Sequence, residues 1–326
     1  MKRFFTYLIV LAGFSIILSC EKENAECKKI TFYKDADGDS LGNKAESIQD
    51  CNQPTGYVLN ASDNDDTPKT ASASEIPTKG YTTPATYSGM QLMWADEFEG
   101  TTLDEKNWNY ELGDGCPGNC GWGNNELEYY KKENTSVKNG YLLIEAKSEA
   151  SNGKQYTSSR LTTQNKVNVK YGRIDIRAAL PKGKGIWPAL WMLGKNINEV
   201  GWPKCGEIDI MEMVGGTTTD NQVNGTVHWD HNNSHAEYGG NTKLASGIFN
   251  DEFHVFSLTW DEKFIRWYLD DKQYHVIDIT PSGLSELKEE FFLVFNVAVG
   301  GNWPGNPDGS TVFPQKMIVD YVRVFK

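Results

Sequence analysis

The stretch Gly206–Met213, GEIDIMEM, constrains the fold more than any other part of the chain. It has the apolar alternation of a β-strand, yet it carries three carboxylates, Glu207, Asp209 and Glu212, within six residues. Side chains alternate faces along a strand, so Glu207 and Asp209 point one way and Ile208 and Ile210 the other. Crowding carboxylates inside an apolar interior is costly. Such a strand therefore belongs in a sheet with one face sealed into a core and the other open to a cleft. Glu212 lies three residues past Asp209 and falls on the wrong face unless a β-bulge around Ile210–Met211 turns it back. In a fully extended strand Glu207 and Glu212 would lie about 16 Å apart. Bulging, twist and the lean of two long side chains over the shorter Asp209 have to close that gap. The alternative is a solvated acidic edge strand, which the buried character of Ile208, Ile210 and Met211 disfavours. Paired carboxylates in a cleft are the equipment of glycoside hydrolysis, one as nucleophile and one as acid/base.

The surrounding sequence supplies the sheets. KVNVKYGRIDIR (166–177) alternates. FHVFSLTW and FIRWYLDD are separated by Asp261–Lys263, and Asp270–Lys272 lead into QYHVIDI, which reads as successive antiparallel strands with tight turns. FFLVFNVAV (291–299) is apolar throughout, as a sandwich-core strand would be. Ser282–Glu290 is the one modest helical candidate. Many short strands with Gly-rich turns over about 240 residues indicate an all-β sandwich.

Further motifs occur in order along the chain: LMWADEF (92–98), GWGNNELEYY (121–130), YGRIDIRAALP (171–181), GIWPALWMLG (185–194), GTVHWD (225–230), NVAVGGNWPG (296–305) and MIVDYVRVF (317–325). With EIDIMEM, the bulged form of an E-x-D-x-x-E strand, they resemble glycoside hydrolase family 16, and most of all its endo-β-1,3-glucanase branch. The resemblance covers residues 87–326. It implies a β-jelly-roll sandwich with a concave substrate cleft, and retaining endo-hydrolysis of β-1,3-glucans such as laminarin. Glu207 would be the nucleophile, Glu212 the acid/base and Asp209 their neighbour between. Other readings are a non-catalytic β-glucan-binding surface protein, or a relative acting on mixed-linkage glucan or agar-type galactans. Retention of all three acids argues against the binding-only reading.

Sugar rings stack on flat apolar faces, and the chain has ten tryptophans. Trp187, Trp191, Trp202, Trp229 and Trp303 fall in the matched motifs, and about half are expected to line the cleft. Trp187 and Trp191, four residues apart on a strand, share a face. Asn125 and Glu126, on what resembles a cleft-edge loop, and His228 are candidate hydrogen-bonding groups. Arg173, Asp175 and Arg177 alternate with Ile174 and Ile176, so they share a face, and a concave polar face would suit Arg177 as a substrate ligand. No metal ligand is expected among the five histidines. No cofactor is expected for catalysis. A structural calcium is expected, since the family's calcium site resembles Glu97, the Gly140 carbonyl and Asp320. Asp320 is read on the same strand face as Ile318, Val322 and Val324, where a carboxylate wants a partner; a salt bridge to an arginine is the alternative.

The N-terminal quarter is different. Residues 1–19 read as a signal peptide: Lys2 and Arg3 precede the apolar run Phe4–Leu18, which is short for a membrane span. The sequence I-L-S-C resembles a lipobox, so Cys20 is the expected lipidation site. That implies an outer-membrane lipoprotein of the cell envelope, anchored to the membrane, and the Glu21-Lys22-Glu23 start resembles a surface-export signal. Losing Lys2 and Arg3 takes the formal net charge from −12 to −14. An acidic surface argues against a nucleic-acid partner. A monomer is expected.

Residues 20–66 read as a small aspartate-rich module and 67–86, rich in Thr, Ser, Ala and Pro, as a linker. Asp35, Asp37, Asp39 and Glu46 have the spacing of EF-hand positions, but Ser40 stands where that loop demands glycine and the flanks read as strand. The segment instead resembles short aspartate-rich calcium modules, with Asp63, Asp65 and Asp66 as a second cluster and Asn64 where many such modules carry a cysteine. An acidic spacer is the alternative. In an oxidising compartment Cys27 is expected to pair with Cys51 and Cys116 with Cys120, leaving Cys205 as a small buried hydrophobe.

Overall fold

The computed structural model describes residues 27–35, 42–54, 56–63 and 76–326. The chain divides between residues 67 and 68 into two compact units. The expected leader and lipidated Cys20, with Asp37, Asp39, Asp65 and Asp66, lie outside the described residues.

The first unit is a three-stranded sheet in the order Asn43–Asp50, Ile30–Lys34, Tyr57–Val58. A Cys27–Cys51 disulfide ties its base. Glu46 sits within a strand and pairs with Lys34 at 2.8 Å. The strand character expected of the segment's flanks holds.

The second unit is a sandwich of two large, mostly antiparallel sheets. The cleft sheet runs His235–Lys243, Gln222–Asp230, Glu207–Glu212, Ile186–Gly194, Phe291–Val299, Arg160–Thr162, Asn109–Glu111. The back sheet runs Lys272–Asp278, Phe264–Leu269, His254–Trp260, Gly172–Ala179, Gln315–Phe325, Tyr141–Ala146, Thr135–Lys138, with Leu92–Asp96 also paired to Gln315–Phe325. One hydrophobic core fills the space between them. Phe291, Leu293, Phe295, Val297 and Val299 all enter it. Each such side chain contributes about 1.5–3 kcal/mol by leaving water. The intervening Phe292 and Val294 face the other way and pack with Leu193 and Cys205 in a smaller cluster. Two-sided burial of this strand explains why it is apolar at every position but Asn296. Ser282–Lys288 forms a 3₁₀ turn, and Cys116–Cys120 is a disulfide. Cys205 is free and buried, and burial, with Glu207 nearby, pushes its thiol up to about 11.

Two readings of the back sheet need correction. Arg177 is remote from the cleft, because Gly172–Ala179 pairs with His254–Trp260 and Gln315–Phe325 in the opposite sheet. Its guanidinium instead holds Asp320 at 2.6 Å and the Tyr81 carbonyl at 2.6 Å. Arg173, Asp175 and Arg177 do share a face, but a chain segment covers it. Tyr87 Oη donates to Asp175, the Thr83 amide donates to Tyr321 Oη, and Gly80 bridges Phe253. The part of the expected linker from Ile76 onward thus lies on the back sheet, with Ile76 packed against Ala179, Phe253 and Ile318.

Asp320 is itself a bulge. Arg177 pairs with Tyr321 and Ala178 with Val319, so Asp320 is the extra residue. The parity of the strand breaks there. Val319, Val322 and Val324 enter the main core while Ile318 joins the outer cluster, so the shared face expected for these residues does not exist. On the same strand, Tyr141–Ala146 pairs as far as Val319 and Leu92–Asp96 starts at Val322. Glu97 and the Gly140 turn therefore both approach the gap at Asp320. Glu97 is held by Arg323 at 2.7 and 2.8 Å, and Asp320 by Arg177, so each carboxylate already has a guanidinium partner.

Candidate active site

The acidic strand Glu207–Glu212 is bulged where its spacing requires it. Asp209 pairs with Thr226 and Glu212 with Asn224, so Ile210 and Met211 together oppose Gly225. On the other side Leu190 pairs with Met211 and Trp191 with Asp209. Ile210 is the inserted residue. The insertion lets Ile208, Ile210, Met211 and Met213 all reach the core while Glu207, Asp209 and Glu212 all line the cleft.

The back sheet braces this irregularity. The fully buried Trp267 reaches across from Phe264–Leu269 and donates its indole N–H to the Asp209 carbonyl at 2.8 Å. It occupies the space over Gly225, where a Cβ would come within 2.3 Å of the indole and 2.7 Å of Tyr274 Oη. Glycine in GTVHWD is what allows the tryptophan to reach the bulge.

The cleft has a volume of about 920 Å³. Each glutamate is held by a tryptophan: Trp202 Nε1 donates to Glu207 at 2.9 Å and Trp187 Nε1 to Glu212 at 3.0 Å. His228 Nε2 sits 3.0 Å from Asp209 and 3.7 Å from Glu207. Trp191 donates to Asn296 at 2.8 Å, and Asn296 in turn donates to Tyr130 Oη. Trp303, about half exposed, stands edge-on to Trp187 with ring centroids 5.4 Å apart. Four of the five tryptophans singled out thus line the cleft, whereas Trp229 packs against the core. Glu126 also lines it, but its carboxylate is taken by Tyr130 Oη and Asn124. Asn125 sits at the rim, bonding Asn302 at 2.8 Å and so tying the 120–126 loop to the Trp303 loop.

Sequence reasoning missed Arg160. It lies between Trp122 (4.5 Å) and Trp191 (4.8 Å), with Nε 2.5 Å from Glu111. A lone arginine in a three-residue strand gives no periodic signal. Asn296, the one polar residue of a strand read as apolar throughout, was missed as well, and it lines the cleft.

All three acids are pushed up. Burial is the main cause for each, taking Glu207 to about 8, Asp209 to about 8 and Glu212 well above the usual carboxylate range. The Asp209 charge adds to the rise of both glutamates. Three acids this close retain protons as a set at neutral pH. Glu207 is the best seat for negative charge, because it accepts from Trp202 and faces both His228 and the Arg160 charge. Glu212, raised by both neighbouring acids, is the best seat for a proton.

The sequence model described as "Glycosyl hydrolases family 16" matches residues 120–323. A second, described as "Beta-glucan synthesis-associated protein SKN1/KRE6/Sbg1", matches residues 6–207 and so ends at the first of the three acids. The chain is 38% identical over 297 residues to glucan endo-1,3-beta-glucosidase A1 of Niallia circulans, covering 83% of this chain and 42% of that protein. It is 40% identical over 239 residues to the clotting factor G alpha subunit of Tachypleus tridentatus, 72% of this chain and 34% of that one. It thus spans well under half the length of these two relatives. It spans 85% of a beta-glucanase of Rhodothermus marinus, at 39% identity over 72% of this chain. The laminarinase catalytic domain of Thermotoga maritima MSB8 superposes with a TM-score of 0.67 at 49% identity, covering 73% of this chain and 98% of that one. Two stacked sheets with a bulged acidic strand in the cleft share the fold of the solved laminarinase domain. The chain belongs to glycosyl hydrolases family 16.

Proposed function

We propose that this protein cleaves internal β-1,3-glucosidic bonds of β-glucans such as laminarin, with retention of configuration. The observation that carries this reading is the bulged strand, which delivers Glu207 and Glu212 to one cleft with a tryptophan N–H on each carboxylate. Glu207 attacks the anomeric carbon while Glu212 protonates the departing oxygen. Glu212 then takes a proton from water, which attacks the glycosyl-enzyme and regenerates Glu207. Asp209, fixed by His228, raises both glutamates and helps Glu212 keep its proton before the first step. Trp187, Trp191, Trp202 and Trp303 offer the faces on which glucosyl rings stack. Reducing-end release from laminarin, lichenan, agarose and carrageenan tests the substrate class. Laminarin should be hydrolysed fastest, and binding to laminarin without hydrolysis would overturn the enzyme reading.

The leader sequence supports lipid attachment at Cys20 and residence on the outer face of the cell envelope. Wild-type protein should partition with membranes and be shaved from intact cells by protease, and Cys20→Ala should be soluble. Equal solubility would refute the anchor. The convergence of Glu97, Gly140 and Asp320 on one gap in the back sheet supports a structural calcium there, as its oxygen donors suit a hard cation. The ion would displace Arg323 and Arg177 from the two carboxylates. Calcium binding by residues 20–66, through Asp35, Asp37 and Asp39, rests on the sequence pattern. Calorimetric titration of calcium into the full chain and into Asp320→Ala separates the two sites.

A further inference from the structure

The antiparallel pair Gln222–Asp230 and His235–Lys243 carries a group of donors of which the proposed catalysis uses only His228, through its Nε2. His228 lies directly opposite Glu237, and His235, two residues before Glu237, shares its face. Three donor atoms meet there in a closed triangle. His228 Nδ1 is 2.8 Å from His235 Nε2, His228 Nδ1 is 3.6 Å from Glu237 Oε2, and His235 Nε2 is 3.8 Å from that same oxygen. A tetrahedral ion with bonds of about 2.0–2.1 Å requires donors about 3.3 Å apart, which these distances bracket. Two imidazoles and a carboxylate are also a donor set that suits zinc and its neighbours in the first transition row.

The other ring nitrogen of His228 strengthens the case. Nε2 faces Asp209 Oδ2 at 3.0 Å. In the tautomer with its proton on Nε2, His228 donates to Asp209 and its Nδ1 lone pair faces the triangle. A carboxylate behind a histidine is the usual outer support of a metal-bound imidazole, fixing tautomer and orientation. The two imidazole nitrogens, 2.8 Å apart, share one proton in a hydrogen bond, and an ion that displaced this proton would take both lone pairs beside the Glu237 carboxylate. The Trp202 ring, 4.7 Å from that of His235, borders it.

We infer that His228, His235 and Glu237 form a site for a divalent transition-metal ion, and that its occupation inhibits hydrolysis. The ion would draw on the histidine that holds Asp209, and would place a positive charge and its waters beside Trp202 and Glu207. Spacing along the chain hides the site because two ligands come from one strand and one from its neighbour.

The test uses cobalt(II) and zinc(II) added singly to the full-length protein. Cobalt should give the visible d–d absorption of a tetrahedral nitrogen–oxygen site, and zinc should displace it. Zinc should also inhibit laminarin hydrolysis reversibly, with chelator restoring the rate. Glu237→Gln should hydrolyse laminarin normally in metal-free buffer. Loss of a ligand should weaken zinc inhibition and cobalt binding more than loss of an outer support does, roughly 10–100-fold. His235→Ala should lose the cobalt bands as well. The absorption is read without substrate, so failure of the metal site and failure of the glucanase reading are distinguishable. Bands retained in both variants would overturn the proposal, placing the ion on Glu207, Asp209 and His228 instead. No bands in wild type would overturn it too.

Discussion

Replacing Glu207 by glutamine should abolish hydrolysis and stabilise the protein, and the gain should depend on pH. The Glu207 carboxyl is raised from 4.5 to about 8, chiefly by burial and then by Asp209. Between those two values the folded chain holds a proton that the unfolded chain releases. Stability due to this group is therefore fully present below about pH 4.5 and is lost as pH rises through about 8. A tenfold change in proton affinity on folding is worth about 1.4 kcal/mol, so the rise sets a ceiling of about 5 kcal/mol. The side chain is still 17% exposed, and Asp209 and Glu212 share the same burden, so the realised penalty is smaller, about 1–3 kcal/mol. Glutamine keeps the volume and the acceptor for Trp202 but cannot ionise. For a domain this size, about 2–4 °C of melting temperature accompanies each kcal/mol. Calorimetric melting at pH 4 and pH 8 should show Glu207→Gln on the order of 5 °C more stable than wild type at pH 8 and indistinguishable at pH 4. A variant less stable than wild type at both pH values would refute the reasoning, as would a gain of equal size at both.

Asp209→Asn removes a charge that raises both glutamates. Both limbs of the pH–rate profile should move to lower pH, and a profile shifted upward or unmoved would contradict the coupling. Gly225→Ala forces the Trp267 indole from its place and should cost about 1–3 kcal/mol by overpacking, with kcat falling more than KM rises. Trp267→Phe keeps most of the packing but loses the bond to the Asp209 carbonyl, and its kcat on laminarin should also fall. Trp303→Ala removes a half-exposed cleft ring stacked edge-on to Trp187, so KM should rise with kcat nearly unchanged. Arg177→Ala should leave kinetics intact and lower only the melting temperature, since Arg177 binds Asp320 and Tyr81 on the back sheet.

The cleft strand was legible because its chemistry conflicts with its periodicity. Three acids in six residues cannot share a face without an inserted residue, and the bulge falls at Ile210, within the interval expected. The tryptophans were legible for a similar reason, since large aromatic rings recur at strand spacing within Gly-rich motifs. The Arg173–Arg177 face could not be placed, because alternation shows which residues share a face but not which sheet the strand joins. That depends on long-range pairing with His254–Trp260 and Gln315–Phe325. The Asp320 bulge escaped notice because its neighbours are apolar on both sides, so the parity break leaves no conflict to read. Arg160 and the His228–His235–Glu237 triangle depend on cross-strand proximity, which linear spacing does not encode.

The central claim is that Glu207 becomes covalently glycosylated. Incubating the protein with an activated 2-deoxy-2-fluoro laminaribioside slows breakdown of the intermediate more than its formation, so the adduct accumulates for mass spectrometry. The account requires a single added disaccharide mapped by peptide sequencing to Glu207 in GEIDIMEM, with Glu207→Gln unlabelled. A label on Glu212, or a time-dependent loss of activity with no covalent mass added, would contradict it.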